Sequence, residues 1–427
     1  MAKPVKTYLR WWRQSRLQSR AILPPHPLNC PECGLHTQIP ALKQGSRADC
    51  PRCHHELVRV ENNPFHAPPA LALATLILLL CVYGNIFLTI SLAGIREVLS
   101  MPEMVKGLMQ YDFGFLAEIM FLFTFGTPLF FLLLCLYTYT ATILGKALPG
   151  LLNATRTMLR LREWIMIDVF FVSTLVAYIK LNAVAQVEFG AAFWLMAVMA
   201  IMLIRTIQSA PQHWVYSQIR RLCPDTGPQN SQSRTICCSR CLHFSPADKE
   251  QCATCGSRLF ERRPLSLQYS AAFLAAAAIL YLPANILPIM ISSNIFNTET
   301  NTIMNGIAYM WNEGDKLIAV IIFSASVMVP SLKIISLAIL QSSARFGLPL
   351  SAGKMSLLYR ITETVGRWSM IDIFVIIILM SAFHTPVARV TPGPAAFYFC
   401  AVVLLTMLSA HYFDPRLLWD KAGQNRV

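Results

Sequence analysis

Charge is what this 427-residue sequence lacks most: only 14% of its residues are Asp, Glu, Lys or Arg, against ~25% in soluble domains. That deficit, with a mean hydropathy of +0.48, excludes an ordinary soluble enzyme. No GxxxxGK[ST] phosphate loop occurs, which excludes ATP hydrolysis by this chain on sequence grounds. Intramembrane histidine pairs are missing as well. His384 and His411 are the histidines near apolar runs, and they fall at opposite ends of their segments, poor ground for a haem. A secretory leader is not expected, since the first apolar run follows about seventy polar, basic residues and carries no small-residue cleavage pattern.

What is present is hydrocarbon. Uncharged runs at Ala70–Leu92, Ile119–Gly145, Tyr269–Ile291 and Val390–Phe413 each reach the ~20 residues that cross a bilayer core. Four further segments, Trp164–Val187, Phe189–Ile204, Lys316–Leu340 and Trp368–Ala388, bring the expected count to eight spans, of which Phe189–Ile204 is the shortest. The formal charge of +14 therefore sits on the connecting segments, where it reads as loops facing an anionic leaflet rather than as a nucleic-acid surface. With the N-terminus in the cytoplasm, thirty Lys and Arg fall on the cytoplasmic side and four (Arg96, Lys106, Lys316, Arg389) on the other. The positive-inside rule then places both ends in the cytoplasm.

The chain is written twice. "REWIMID" (Arg162–Asp168) recurs as "GRWSMID" (Gly366–Asp372), an offset of 204 that maps Trp164 and Asp168 onto Trp368 and Asp372. "GNIFL" (Gly84–Leu88) parallels "ANILP" (Ala284–Pro288), and "FGTPLF" around Pro128 parallels "VMVPSL" around Pro330. Four spans per copy, an even number, give both copies the same orientation, a parallel repeat. The expected fold is an all-α polytopic membrane protein of two tandem four-helix bundles (68–210 and 266–413), each preceded by a small Cys₄ ribbon (28–60 and 235–260). A basic segment (1–27), a linker (211–234) and a cytoplasmic tail (414–427) complete it. Within the first of these, Tyr8–Arg20 alternates aromatic or apolar residues with arginine, suiting a surface amphipathic helix or a frayed basic tail.

Each ribbon is a pair of Cys-x-x-Cys knuckles: Cys30/Cys33 with Cys50/Cys53, and Cys238/Cys241 with Cys252/Cys255. A knuckle presents two thiolates from one tight turn and two knuckles close a tetrahedral shell, the arrangement that suits Zn²⁺. The glycines after Cys33 and Cys255 fit such turns. Four filled thiolate positions leave nothing open for a substrate, so the expected role of the metal is structural; a redox dithiol and an iron–sulfur cluster are the rival readings. Cys237 is an alternative to Cys238, which the spacing favours, and Cys81, Cys135, Cys223 and Cys400 read as core or loop residues.

Ionisable residues within spans are functional candidates because hydrocarbon penalises them unless they have partners. Lys333 lies seventeen residues into its span, roughly 25 Å at 1.5 Å per residue. Asp372 falls within the first two turns of the next span, at a matching depth. Ser369 precedes Asp372 by three positions, on the same helical face; Ser324 and Ser326 lie along the Lys333 span and Thr406 in the last one. Together they suggest a polar network in the second bundle. A plainer reading stands beside it: Lys333 snorkelling, Asp372 capping a helix, hydroxyls bonding their own backbone. The first bundle keeps Asp168 but has Phe and Leu near the position of Lys333, and carries Lys180 at the position of His384. Pro283 and Pro288, five apart in one apolar run, predict a kink.

These residues resemble the paraquat-inducible protein A family of bacterial inner-membrane proteins. The resemblance rests on the doubled ribbon-plus-four-helix layout, "YLPANILPIM" (Tyr281–Met290), "SASVMVPSLK" (Ser324–Lys333), "GRWSMID" and "FDPRLLWD" (Phe413–Asp420). It runs from about Cys30 to Asp420, and "TPGPAAFYF" (Thr391–Phe399) looks most like the branch called lipophilic envelope-spanning tunnel protein A. The resemblance implies a periplasmic partner of stacked MCE rings forming a tunnel toward the outer membrane, phospholipid as cargo, and no enzyme activity. It also implies that the family's polar residues fall on Ser324, Lys333, Ser369, Asp372 and Thr406. The alternatives from other classes are a structural anchor for the tunnel and a redox or quinone-linked membrane enzyme.

Overall fold

A computed structural model describes residues 23–92, 95–110, 114–182, 186–223, 235–294, 298–312, 314, 316–347, 351–382 and 388–424. Tyr8–Arg20 and His384 lie outside these residues, as does the side chain of Lys180. Two hairpins open the chain, β1 (His26–Asn29) with β2 (His36–Ile39) and β3 (Arg47–Asp49) with β4 (Glu56–Arg59), both antiparallel.

The first repeat follows. Helix α1 (Ala67–Tyr83) leads to strands β5 (Ile86–Leu92) and β6 (Ile95–Ser100) and helices α2 (Met101–Gln110) and α3 (Gly114–Phe121). The latter continues through a wide π turn (Leu122–Gly126) into α4 (Thr127–Leu144). Then come α5 (Leu151–Leu161), α6 (Ile167–Asn182), β7 (Gln186–Phe189), α7 (Ala191–Ser209) and α8 (Gln212–Leu222). A hairpin of β8 (Thr235–Cys237) and β9 (Phe244–Pro246) separates the repeats.

The second repeat runs in the same order: α9 (Ser266–Ile286), β10 (Met290–Asn294), β11 (Thr298–Asn301), α10 (Ile303–Asn312) and α11 (Lys316–Phe323). A π turn at Ser324–Met328 joins the last of these to α12 (Val329–Phe346), followed by α13 (Ala352–Trp368), α14 (Ile371–Ala382), β12 (Ala388–Pro392), α15 (Pro394–Tyr412) and α16 (Arg416–Gln424).

The fold is mainly helical, and six helices among the described residues are long and apolar enough to cross a membrane. Three of the eight expected spans form shorter helices, α1 with 17 residues, α6 with 16 and α14 with 12, the last reaching span length only together with α13 as Ala352–Ala382, whereas Phe189–Ile204, expected to be the shortest, becomes the 19-residue α7. The small sheets were not anticipated. Each repeat builds one three-stranded antiparallel sheet of the same order, β6-β5-β7 and β11-β10-β12. The run Ala70–Leu92 thus splits: Gly84 and Asn85 end the helix, and the β-branched and aromatic sequence Ile86–Ile90 pairs as a strand. A glycine closes each sheet onto the following helix. A Cβ at Gly190 would overlap the Ile86 backbone, and one at Gly393 that of Pro288, while Gly190 N–H donates to Phe87 O and Gly393 N–H to Ile289 O, both at 2.9 Å.

The kinks also differ from expectation. Only Pro283 lies within α9; Leu287 is extended (ψ 155°) and Pro288 lies beyond the helix end, because the residue before proline is driven out of the α region. The irregularities sit instead at the π turns, two residues before Pro128 and Pro330. Pro330 has no N–H for the Ser326 carbonyl, and the ladder widens so that Val329 N–H reaches back to Ser324 O. Tyr281 of α9 donates its hydroxyl to the Val327 carbonyl at 3.1 Å, binding the widened turn to a neighbouring helix.

The chain divides into two compact units that do not follow the repeat boundary. One comprises Met1–Ile77, Thr127–Ile165 and Ile201–Pro264; the other comprises Leu78–Gly126, Met166–Ala200 and Leu265–Val427. In the first, His26 of β1, His213 of α8 and His243 stack face to face, with both centroid spacings at 4.8 Å. His213 is buried with both ring nitrogens unpartnered among the described residues, and burial, helped by its two imidazole neighbours, pushes its pKa down to about 2. In the second unit, α6 packs on α14, its own counterpart in the other repeat. Phe170 and Phe374, equivalent by the offset of 204, meet edge to face at 5.3 Å. Equivalent residues touching each other is what a two-fold relation between copies produces.

Candidate functional site

Both cysteine clusters close as the spacing predicts. Cys30, Cys33, Cys50 and Cys53 form one group and Cys238, Cys241, Cys252 and Cys255 the other; all eight are buried, and within each group the sulfurs lie within 4.8 Å of one another. The closest sulfur pairs are 3.5–3.6 Å apart, near the ~3.8 Å edge of a tetrahedron with metal–sulfur bonds of ~2.3 Å. Every knuckle places the residue after its second cysteine in the left-handed region: Gly34 (φ 72°), His54 (58°), Leu242 (60°) and Gly256 (64°). Its N–H closes the turn onto the first cysteine's carbonyl at 2.7–2.9 Å. Burial pushes the Cys53 thiol up to about 12 and raises Cys30 still further, so a bound cation is what would keep these sulfurs ionised. The donor set fits a metal ion at each cluster. Guanidinium groups guard both glycine knuckles: a Cβ on Gly256 would overlap that of Arg156, and one on Gly34 would sit 3.5 Å from that of Arg262.

The polar candidates of the second repeat sit on separate elements. Lys333 on α12 is 3% exposed, so it does not snorkel, and its Nζ donates to the Gly366 carbonyl at 3.5 Å. Among the described residues that carbonyl is its one polar partner. The acceptor exists because the chain breaks after α13: Met370 N–H turns back to Arg367 O instead of the Gly366 carbonyl four residues behind it, leaving that oxygen free at the negative end of a helix dipole. Gly366 also makes the room, since a Cβ there would stand 3.3 Å from both Lys333 Cε and Nζ.

The same break corrects one expectation. Ser369 is not on the helix of Asp372; it terminates α13, while Asp372 stands half-buried in the first turn of α14. Ser369 Oγ is buried without a hydrogen-bond partner among the described residues. Ser326 is buried and Ser324 half-buried, both in the π turn. Thr406 is buried and bonds its own helix at the Val403 carbonyl, 2.9 Å away. In the first repeat Asp168 occupies the first turn of α6, half-buried like Asp372.

Two features were missed from sequence. Gly366 stood inside a quoted motif, and its being the one residue without a side chain where the other copy has Arg162 was the available signal. The contact of Ser270 with Ser409 (Oγ to carbonyl 2.8 Å in both directions), capped by Gln341 Nε2 at 2.8 Å from Ser270 Oγ, left no signal in sequence spacing.

Comparison with known proteins agrees with the doubled architecture. The family described as Paraquat-inducible protein A matches twice, over residues 65–220 and 267–423. The chain is 33% identical to the intermembrane transport protein PqiA of Escherichia coli over 93% of its length and 96% of that protein's. It is 31% identical to the lipophilic envelope-spanning tunnel protein A of the same organism, over 92% and 90%, and 29% identical to a probable intermembrane transport protein of Haemophilus influenzae, over 92% and 95%. The 33% and 31% identities do not separate the two branches. No solved structure matches. With the family matched across both repeats, the chain belongs to the paraquat-inducible protein A family.

Proposed function

We propose that this chain is a multi-pass inner-membrane transport protein, not an enzyme, that moves phospholipids between the inner membrane and a periplasmic MCE tunnel leading to the outer membrane. Both termini face the cytoplasm, and each Cys₄ cluster holds a structural Zn²⁺, which supplies a cross-link that fixes the ribbon fold. Two relatives named for intermembrane transport and envelope spanning support the setting. The observation that carries the reading is the buried ammonium of Lys333, whose three donors meet a single carbonyl among the described residues. A cation held in hydrocarbon with spare donors suits a ligand that brings its own anion, and a phospholipid headgroup is such a ligand. Ser369, with its buried and unpartnered hydroxyl, stands three residues from that carbonyl and offers a second donor; Asp372, Thr406, Ser324 and Ser326 complete the polar set.

The test is rescue of an envelope-sensitive strain by point variants. Lys333→Ala is expected to abolish rescue at normal membrane levels of the protein, and Lys333→Arg to restore part of it. Full rescue by Lys333→Ala, with Asp372→Asn equally active, would leave only an anchoring role.

A further inference from the structure

A groove lies apart from Lys333, between α9 and α12. These two spans are the least covered by protein, 22% and 28% buried against 78% for Ala352–Ala382. Between the start of α9 and the end of α12 runs a cavity of ≈ 230 Å³, walled by Leu267, Ala271 and Leu274 on one side and Ala338, Gln341 and Arg345 on the other. That is below the ~300–1,000 Å³ of pockets that enclose a whole ligand, so it accommodates part of a chain molecule.

Its α12 wall is graded along the helix. Arg345, one residue from the helix end, sits at the shallow rim, and Ala338, seven residues deeper on α12, faces the aliphatic part, a separation of ~10 Å at 1.5 Å per residue. Charge at the boundary, amide next and aliphatic carbon beneath is the polarity order of a phospholipid read from its phosphate into its acyl chain. The guanidinium has no carboxylate partner among the described residues and lies 5.7 Å over the Phe346 ring, on the last turn of a span where a phosphate layer begins. Gln341 fastens the inner wall, its amide donating to Ser270 and Ser409, so the groove is built onto an ordered contact.

We infer that this groove holds one phospholipid, its phosphate paired with Arg345 and one acyl segment laid along Ala271, Leu274 and Ala338. Lys333 is buried in the helix interior of the same span, so the groove is a site of its own and does not rest on the transport reading.

The full chain, purified in detergent and washed free of loosely held lipid, is assayed for retained phospholipid by mass spectrometry. About one molecule per chain is expected to stay. Ala338→Trp, which fills the groove, and Arg345→Gln, which removes the phosphate partner, should each cut retention about tenfold, while Ile279→Trp on an exposed face of α9 should not. Excess inorganic phosphate should leave the lipid in place. Ala271→Phe, from the opposite wall, repeats the test should Ala338→Trp fail to fold. Retention equal to wild type in the groove variants, or displacement by phosphate, overturns the site. Lys333→Ala should keep the lipid while losing rescue, so the two proposals fail separately; loss of the lipid in Lys333→Ala overturns the groove as a distinct site.

Discussion

The two repeats share one backbone plan and differ in what they bury. At matched positions of the π turns the first has Leu122 and Thr124, the second Ser324 and Ser326. Three residues past the shared proline stand Phe131 and Lys333, 1% and 3% exposed. Before the shared aspartates come Ile165 and Ser369, both 4% exposed, and in the last helices, each 19 residues long, Leu203 and Thr406, both 2% exposed. Yet Trp164 and Trp368 are each 41% exposed. At the π turn both copies keep one buried hydroxyl, Thr124 and Ser326, but at the other matched points the first copy buries Phe131, Ile165 and Leu203 where the second buries Lys333, Ser369 and Thr406. A duplicated scaffold thus carries different buried chemistry in its two copies.

Exchanging residues across that comparison is the sharpest way to break it. Phe131→Lys puts a charge where the first repeat has Arg162 in place of the glycine that makes room beside Lys333. The expected cost is several kcal/mol, read as loss of the protein from membrane fractions; normal accumulation would mean the two interiors are interchangeable. The reverse change, Lys333→Phe, should leave the protein level intact and remove rescue. Between the ribbons, Cys241→Ser should lower bound metal from two ions per chain to one, read by elemental analysis, with the first cluster unaffected.

The knuckle glycines give a smaller contrast. Gly256→Ala carries the left-handed penalty of about 1–2 kcal/mol and also displaces Arg156, whereas Gly34→Ala carries the penalty with room beside Arg262. Thermal melts should place Gly256→Ala lower. A pH-dependent contrast is expected from His213. Its pKa is about 2 when folded and 6.5 when unfolded, so the unfolded chain takes up the proton and stability falls as pH drops below ~6.5. The groups facing it are His26 and His243, with Arg220 acting on His243. His213→Phe should flatten that acid slope in a melt series between pH 7 and 5.

Much of this was legible because it is carried by composition or local spacing. Span-length apolar runs, two-residue cysteine spacing and the Trp-x-x-x-Asp repeat need no tertiary knowledge. What stayed hidden depends on backbone accounting across helices. Strands β5 and β10 look like continuations of apolar spans until Gly84 or Pro288 ends the helix. Ser369 and Asp372 share a face only if the helix is unbroken, and the break is fixed by where the Met370 N–H turns. The acceptor of Lys333 is a main-chain oxygen, which side-chain patterning does not display.

The widened turn at Ser324–Met328 also sets an angular register. One extra residue in a coil of 3.6 per turn rotates everything after it by ~100° relative to an unbroken helix. Lys333, five residues beyond the turn, faces inward because of that added increment. Closing this turn to an ordinary α-helix with no residue removed would swing the ammonium away from Gly366 by that increment, whereas deleting one residue from Ala325–Val327 would take up the difference and leave it facing inward.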